Sequence, residues 1–301
     1  MIDVRARLTA QELPTLAATL GLHGADLEAV LAAARAVADT QADLARVEVL
    51  AARLVHSIGE LDVWGTDDPL DSPAAQVRYR GVGVLAMLAL LATAPEVAAY
   101  HARRGIDPAV SERSLSDLGQ QAVVHRQTYG EFGLHTYRWM RIAWSGGLFW
   151  LGRLQFNLQR AGDGWTLSTH IPPTGPLTPE AVDESFAWAA KFFAEHFPDC
   201  PTTDFFCASW LLDPYLAEAL PPSSNLARFQ RRWNLYGEPM PGDDDVLFFT
   251  FHRRGPLDLA ELPRETTLQR VIVDRLRSGR SWQTWQGRIP QVTAASGGSA
   301  S

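Results

Sequence analysis

The feature that most constrains the fold is a change of sequence pattern near Ser145. Before it, long stretches are rich in Ala, Leu and Val with charges at helical spacing, and 26–58 contains no Gly or Pro. After it, aromatic and aliphatic runs are separated by Gly- and Pro-containing turns. The first pattern is typical of helices and the second of strands. We therefore predict an α+β protein with an all-helical N-terminal domain over 1–145, a mixed-sheet domain over 146–292 and a disordered tail over 293–301.

The helical half carries recognisable start and stop signals. We expect Thr9 to cap a helix that ends at Leu20, and 26–58 to form one long helix or two nearly continuous ones. The turn residues of Gly65–Pro73 precede an apolar helix over 74–104 that restarts at Pro95. Another helix is expected to start at Asp107-Pro108 and to continue over 114–125.

The second half reads as strands interrupted by helices. The predicted strands are 148–158, 165–171, 204–212, 233–236, 246–253 and 282–289. Thr178-Pro179-Glu180 opens an amphipathic helix to about Phe197, and a last helix is expected over 266–276. Buried aromatic residues are expected at positions 156, 186, 193, 206, 210 and 229.

Composition excludes several classes of protein. The net charge is −7 and the chain shows no basic stripe, which argues against general nucleic-acid binding. The two cysteines, Cys200 and Cys207, form neither a disulfide framework nor a zinc pattern, and we expect reduced thiols in a soluble, cytoplasmic protein. No signal peptide is indicated at the N-terminus, and the apolar run Val82–Ala94 is shorter than the roughly 20 residues that a membrane span needs.

The order strand, strand, helix, strand in the second half is similar to the core of the GNAT fold. Sequence words carry a more specific resemblance: LGRLQF at 151–156, HIP at 170–172, FFAEHFP at 192–198, CASWLLDP at 207–214 and SNLARFQRRW at 224–233. In the helical half, RRGID at 103–107 and SLSDLG at 114–119 extend it. The chain resembles the bacterial acyltransferase domain-containing family, which joins a helical N-terminal domain to a GNAT-like C-terminal domain.

This resemblance implies an acyl-CoA cosubstrate and no metal. In the GNAT fold, the CoA pyrophosphate lies on a glycine-rich turn before a helix, where free N–H groups and the helix dipole hold its charge. By position that turn is PPTGPLTP at 172–179, which departs from the expected Q/R-x-x-G-x-G/A. Its candidate donors are Thr174, Gly175, Leu177 and Thr178, and the alternative is a rigid loop that binds no phosphate. A second match to the motif, R-x-x-G-x-G at 78–83, lies in the helical half and is interpreted as coincidence.

Three residues are candidates for catalysis. His170, at the end of a predicted strand beside the loop, has the side chain of a general base, and the alternative is a histidine that satisfies loop carbonyls. Tyr215 stands where GNAT enzymes often place an acid for the departing thiolate, or it packs its ring in an amphipathic helix. Ser209 lies near the end of a strand, but no nucleophile elbow surrounds it. We expect these three residues to line one cleft with Thr174 and Gly175.

Further polar clusters are open to two interpretations. Ser224, Asn225, Arg228, Arg231 and Arg232 could converge on an anion, and Arg153 and Gln155 share one face of a predicted strand. Either set could instead be purely structural. Cys207 is expected to be an inert core thiol, and Asp243-Asp244-Asp245 a solvated turn that binds no metal.

Two functions from different classes fit these observations. One is an N-acyltransferase that moves an acyl group from acyl-CoA to a small-molecule or peptide amine by direct attack, a reaction that needs few catalytic groups. The other is a non-catalytic module on a GNAT scaffold that binds a small anionic ligand or a partner protein, which the degraded glycine loop favours. Neither function requires nucleic acid or a membrane span.

Overall fold

The structure is a computed structural model, and it describes residues 2–63, 78–79, 81–255 and 257–291. It divides into two compact units, Met1–Trp150 and Leu151–Ser301. The predicted turn at Gly65–Pro73, the first residues of the predicted helix over 74–104 and the predicted tail over 293–301 lie outside the described residues.

The described part of the first unit consists of helices and the loops that connect them, up to the first strand at its end. Its helices are α1 (Val4–Thr9), α2 (Leu13–Thr19), α3 (Gly24–Ala38), α4 (Gln41–His56), α5 (Val84–Arg103), α6 (Pro108–Leu115), α7 (Asp117–Tyr129) and α8 (Tyr137–Trp144). The stretch 26–58 thus forms two helices, and Asp107 caps α6 by accepting a hydrogen bond from the Ala109 N–H at 2.7 Å.

The helix α5 is the centre of this unit. Every side chain from Val84 to Ala94 is buried, so the helix is surrounded by protein on all sides over three turns. By length and composition α5 would pass as a membrane span, but 72 % of its most apolar window is buried inside the protein, as in the core helix of a soluble domain.

Two predictions for the helical half are wrong. Thr9 does not cap a helix but ends α1, where its hydroxyl donates to the Arg5 carbonyl at 2.9 Å. Pro95 does not restart a helix, because α5 runs through it. An interior proline costs about 3 kcal/mol, whereas each fully buried Leu or Val side chain contributes about 1.5–3 kcal/mol, so the burial of α5 outweighs one proline.

Six strands among the described residues form one mixed sheet. They are β1 (Leu148–Leu151), β2 (Leu154–Ala161), β3 (Gly164–His170), β4 (Thr202–Ser209), β5 (Asn234–Pro241) and β6 (Gln283–Pro290), in the spatial order β1-β2-β3-β4-β6-β5. β3 and β4 are parallel, while β2–β3, β4–β6 and β5–β6 are antiparallel. The α+β fold class predicted from the sequence is confirmed.

The segment predicted as one strand over 148–158 is two strands. Gly152, with φ +72°, makes the turn between β1 and β2. A Cβ atom on this residue would lie 2.7 Å from the Ser185 hydroxyl oxygen, so glycine is needed for both the backbone conformation and the close approach.

Helices connect the strands of the second unit. They are α9 (Pro179–His196), α10 (Pro214–Ala219), α11 (Asn225–Gln230), α12 (Asp243–Phe251) and α13 (Thr267–Arg277), with a short 3₁₀ turn at Trp210–Leu212. α9 is the crossover between the parallel strands β3 and β4, and Thr178 caps it as predicted. The rings of Phe156, Phe186 and Phe205 meet at centroid distances of 4.6–5.8 Å and hold α9 against the sheet.

The predicted strand over 246–253 and the predicted turn at Asp243–Asp245 are both wrong, since this segment is the helix α12. Three carboxylates in the first turn of a helix are stabilised by the helix dipole. The Asp243 carboxylate also accepts from the Trp282 N–H at 2.6 Å, which ties α12 to the start of β6. A short apolar run such as VLFFTF fits a buried strand and a buried helix equally well.

Four of the six aromatic residues predicted to be buried are buried: Phe156, Phe193, Trp210 and Phe229. Phe186 and Phe206 are partly exposed. On β4 the buried ring is that of Phe205. The sequence-based prediction therefore places the inward face of this strand one residue out of register.

Truncation of Phe193 to Ala should lower the free energy of unfolding by about 3–5 kcal/mol, because the ring is almost fully buried against Phe192 and Phe197. Urea denaturation measures the loss. Trp188→Ala on the same helix is the matched control, since Trp188 is exposed, and it should cost less than about 1 kcal/mol. Equal losses for the two variants would contradict this packing of α9.

Candidate active site

The two central strands separate at one end. The parallel pairing of β3 with β4 stops at Ser168 opposite Phe206, although β3 continues to His170 and β4 to Ser209. Beyond this point each strand stays with its outer neighbour: His170 pairs with Gln155 on β2, and Ser209 pairs with Trp285 on β6. The edges of β3 and β4 that face each other are therefore open for main-chain hydrogen bonding to an extended ligand.

Polar side chains fill one face of the β2–β3 pair next to this opening. Residues opposite each other on antiparallel strands share a face, so Gln155 and His170 lie on one side with Asn157 and Ser168. Gln155, Asn157 and Ser168 are buried. The other face is apolar and carries Phe156 and Leu158 towards α9. A buried polar face is costly unless its groups are hydrogen-bonded, so it needs a structural or functional reason.

His170 is held by Asn157. The distance between His170 Nε2 and Asn157 Oδ1 is 2.6 Å, and Asn157 Nδ2 donates to the Leu158 carbonyl at 2.8 Å. Because that second bond uses the amide N–H, the atom facing the histidine is the carbonyl oxygen, which only accepts. His170 Nε2 therefore carries the proton in the neutral ring, and Nδ1 is the nitrogen that can accept one.

Burial lowers the pKa of His170 to about 3. His170 as a whole is partly exposed, and desolvation of its ring disfavours the charged imidazolium. The ring is therefore neutral throughout the physiological range, which is the protonation state that a general base needs.

The loop that precedes α9 contains the predicted phosphate donors. The Thr174 N–H already donates to the Pro172 carbonyl at 2.8 Å. Gly175 is exposed with φ +64° and has no atom within 4 Å of an added Cβ, whereas Leu177 is buried. The Thr178 hydroxyl accepts from the Ala181 N–H at 3.3 Å. The N–H groups of Gly175, Leu177 and Thr178 thus remain the best candidates for binding an anion at the start of α9.

Two arginines hold the ends of this loop. Arg153 Nη1 donates to the Pro172 carbonyl at 2.9 Å, and Arg232 Nη2 donates to the Pro179 carbonyl at 3.2 Å. Arg232 also forms an ion pair with Asp183. The loop lacks the leading Arg or Gln of the expected motif, but it has guanidinium groups at both ends from elsewhere in the second unit.

The rest of the cluster that follows β4 is mostly structural. Ser224 caps α11 by accepting from the Ala227 N–H at 3.2 Å, and Arg231 donates to the carbonyls of Pro222 and Ala217. These contacts fix the segment between α10 and β5. Arg228 of the same cluster is exposed on α11.

Ser209 and His170 lie on opposite faces of the sheet. Ser209 alternates with Cys207 and Phe205, and Phe205 faces α9, whereas His170 is on the other face. The Ser209 hydroxyl accepts from the Leu211 N–H at 3.1 Å and thereby caps the 3₁₀ turn. Burial raises the pKa of the neighbouring Cys207 thiol, which fits the prediction of an inert core thiol.

Tyr215 lies in the first turn of α10. Its ring and the side chain of Ile171 pack against the same apolar cluster. The guanidinium of Arg275 lies 4.2 Å from the ring centroid of Tyr215, and the Trp282 ring crosses it edge-on at 5.7 Å. The ring of Tyr215 is thus fixed by aromatic and cationic neighbours, and its place in the cleft with His170 remains a prediction.

Asp213 secures this region. Its carboxylate accepts from the backbone N–H groups of Tyr215 and Gln283, both at 3.0 Å, and pairs with Arg275 at 3.4 Å. One buried carboxylate thus joins the end of β4, α10, α13 and β6.

The second glycine motif of the sequence, in the first unit, is structural in its described residues: Arg78 and Tyr79 both donate to Asp43.

Sequence reasoning missed Asn157. Its position on β2, two and four residues after Gln155 and Arg153, was visible as a polar alternation in an otherwise apolar strand. The pairing register that brings it to His170 was not visible, because register depends on the three-dimensional sheet.

NMR titration of the histidine side chains should show a neutral His170, protonated on Nε2, down to about pH 4. Asn157→Asp places a carboxylate beside Nε2 and should raise the pKa of His170 by about 1–3 units. Asn157→Leu is the control, since it removes the hydrogen bond without adding charge and should leave the pKa low. A wild-type His170 that titrates near pH 6.5 would contradict the described burial.

Comparison with known proteins fits this geometry. A family model described as an N-acyltransferase N-terminal domain matches residues 11–146, and one described as a GNAT-like C-terminal domain matches residues 148–289. No curated protein matches the chain.

Solved acyltransferase structures match nearly the whole chain. An acyltransferase mutant in complex with octanoyl-CoA and an acyltransferase in complex with CoA and 10C-teicoplanin each share 32 % identity with it at a TM-score of 0.86, over 93 % of this chain and 88 % of theirs. A complex with decanoyl-CoA matches at the same identity and TM-score, over 96 % of this chain and 89 % of that one.

These matches favour the enzyme over the binding module. The open strand edges, the loop before α9 and the two family models agree with them. The chain belongs to the family of acyltransferases that joins an N-acyltransferase N-terminal domain to a GNAT-like C-terminal domain, and it is a GNAT-like acyl-CoA acyltransferase.

Proposed function

We propose that the protein transfers a medium-length acyl chain from acyl-CoA to an amine, with His170 as the general base. The observation that carries this proposal is the opening between β3 and β4, which begins two residues before His170 and faces the loop that leads into α9. Octanoyl-CoA and decanoyl-CoA in the related structures support the chain length, and teicoplanin supports a large acceptor.

The thioester donor would bind along the open strand edges. The pantetheine arm of CoA carries two amides, and these can pair with the backbone of β3 and β4 as an added strand would. The diphosphate would then lie at the start of α9, against the N–H groups of Gly175, Leu177 and Thr178 and the positive end of the helix dipole.

The acceptor amine would attack the thioester carbonyl directly. As the new C–N bond forms, His170 Nδ1 takes the proton from the amine nitrogen, while Asn157 holds the ring in the required tautomer. The C–S bond then breaks, and the leaving thiolate receives a proton for which Tyr215 is the proposed donor. Ser209 remains a predicted residue of the cleft, and its hydroxyl accepts a hydrogen bond from the 3₁₀ turn.

We further propose that the protein is bacterial and acts in the cytoplasm on a small-molecule or peptide amine. Sequence words shared with a bacterial family support the origin. Acyl-CoA donors occur inside cells, and both cysteines are buried free thiols, as is usual in a reducing compartment.

His170→Gln should lower kcat about 10²- to 10⁴-fold, since it removes the proton acceptor. Decanoyl-CoA with teicoplanin as acceptor provides the assay, and mass spectrometry detects the acylated product. The affinity for decanoyl-CoA should stay within about twofold, because His170 lies outside the diphosphate loop. His56→Gln, at an exposed histidine of the first unit, is the control and should retain full activity. A His170→Gln variant that keeps more than a third of kcat would show that another group is the base.

Gly175→Pro should weaken CoA binding by at least tenfold, since proline cannot adopt φ +64° and would displace the N–H groups of the loop. Isothermal titration with CoA measures the loss. Gly162→Pro tests strain alone, because Gly162 has a similar φ of +60° in the hairpin turn at the other end of β3. If both variants bind CoA like the wild type, the diphosphate is not held by this loop.

A further inference from the structure

Two buried hydrogen-bond donors beside His170 have no partner in the protein. Arg153 Nε and Gln155 Nε2 are both shielded from solvent and make no hydrogen bond. A buried donor that leaves water without gaining a partner costs about 1–3 kcal/mol, and such groups are rare in native structures. Two of them, two residues apart in the chain, call for a common partner.

Both donors lie at the end of β2 that is next to His170. Gln155 is the cross-strand partner of His170, and Arg153 lies two residues before Gln155, in the turn that leads into β2. Arg153 is fixed in place, because its backbone N–H donates to the Ser185 hydroxyl at 2.8 Å and its Nη1 donates to the Pro172 carbonyl at 2.9 Å. Arg153 is partly exposed and Gln155 is buried, so a ligand would approach past Arg153.

The missing partner is an oxygen with negative charge. Both unpartnered groups are donors, so they require an acceptor. In the part of the chain that the structure describes, Arg153 pairs with no carboxylate, and burial lowers its pKa because its charge is poorly solvated. A guanidinium and an amide N–H side by side suit a carboxylate, which can accept from both.

We infer that Arg153 and Gln155 bind a carboxylate of the acceptor and so orient its amine towards His170. The inference rests on the proposed function. The alternative source of an anionic oxygen is the CoA diphosphate, but its predicted place is the start of α9, which packs on the apolar face of the sheet. Gln155 lies on the opposite face, directly across from His170. The donor pair is therefore placed to select acceptors that carry an acid group near the amine.

Matched amines that differ by one carboxylate test this selectivity. Turnover of decanoyl-CoA is followed by release of the CoA thiol with tyrosine against tyramine, phenylalanine against phenethylamine, and 2-amino-2-deoxyglucuronic acid against glucosamine. In at least one pair the acid should react with a kcat/KM at least tenfold higher than that of its neutral counterpart. Arg153→Met and Gln155→Met should both abolish this preference. Gln155→Met leaves the contact between Arg153 and the Pro172 carbonyl intact, so it should keep the KM for decanoyl-CoA within twofold.

Gln159→Met is the matched control, since Gln159 lies on the same face of the same strand but opposite Thr166, away from His170. It should keep the preference. Equal rates for acid and neutral amines in every pair, or a preference that survives in both variants, would overturn the inference. A rise of tenfold or more in the KM of Gln155→Met for decanoyl-CoA would assign this donor to CoA and overturn the inference.

Thermal unfolding of the ligand-free protein gives a test that does not depend on activity. If Gln155 awaits a ligand, Gln155→Met should leave the Tm unchanged or raise it, because a buried unpaired donor is replaced by an apolar group of similar size. A fall of more than about 4 °C would mean that Gln155 is held by a bound water or another structural partner, and would overturn its assignment. Failure of the wild-type protein to bind decanoyl-CoA would refute the proposed function, and this thermal test would still decide whether the donors are structural.

Discussion

The candidate site depends on where the hydrogen bonding between β3 and β4 stops. Up to Ser168 and Phe206 the two strands are neighbours in one sheet, but afterwards each follows a different partner. β3 remains with β2 to His170, and β4 remains with β6 to Ser209. The Asp213 carboxylate, four residues after the end of β4, accepts from the Gln283 N–H and so keeps the chain beyond β4 next to the start of β6. Open strand edges cost hydrogen bonds, and a protein retains them where a ligand supplies the missing groups.

The polar face of β2 and β3 also lowers the stability of the fold at the candidate site. An ordinary sheet would bury apolar side chains at positions 155, 157 and 168, but here these positions carry Gln, Asn and Ser. The hydrogen bond between Asn157 and His170 satisfies part of this face and fixes the orientation of one ring. The unpartnered donors of Arg153 and Gln155 are the part that the protein alone does not satisfy. Cores usually avoid such groups, so their position next to His170 is informative.

Much of the fold follows from local sequence signals. The change of pattern near Ser145, the cap at Thr178 and the position of His170 at the end of its strand are all local, and the structure contains each of them. The segment 246–253 was assigned to a strand because a short apolar run has no clear periodicity, and only its acidic first turn distinguishes it as the helix α12. The prediction that Phe206 rather than Phe205 is the buried ring of β4 is wrong for a related reason. A bulge shifts the register of β3 with β4 between Trp165 and Leu167, and it leaves no mark in the sequence. The hydrogen bond between Asn157 and His170 depends on the register of β2 with β3, which could not be read from the chain either.

In the reaction that we propose, with His170 as the base and an amine as the acceptor, the low pKa of His170 limits how the transfer can proceed. A base with a pKa of about 3 cannot remove a proton from a free ammonium ion, whose pKa is far higher. The acceptor must therefore arrive as a neutral amine, and its nitrogen becomes acidic only as the bond to the thioester carbon forms. His170 is then needed late, when the proton has to leave, and its neutral ring is ready at any physiological pH. Most of the rate of this proposed reaction would then come from holding amine and thioester in contact, a role that we assign to the open strand edges. A weak, fixed base beside well-placed binding groups is consistent with transfer by direct attack, without a covalent enzyme intermediate.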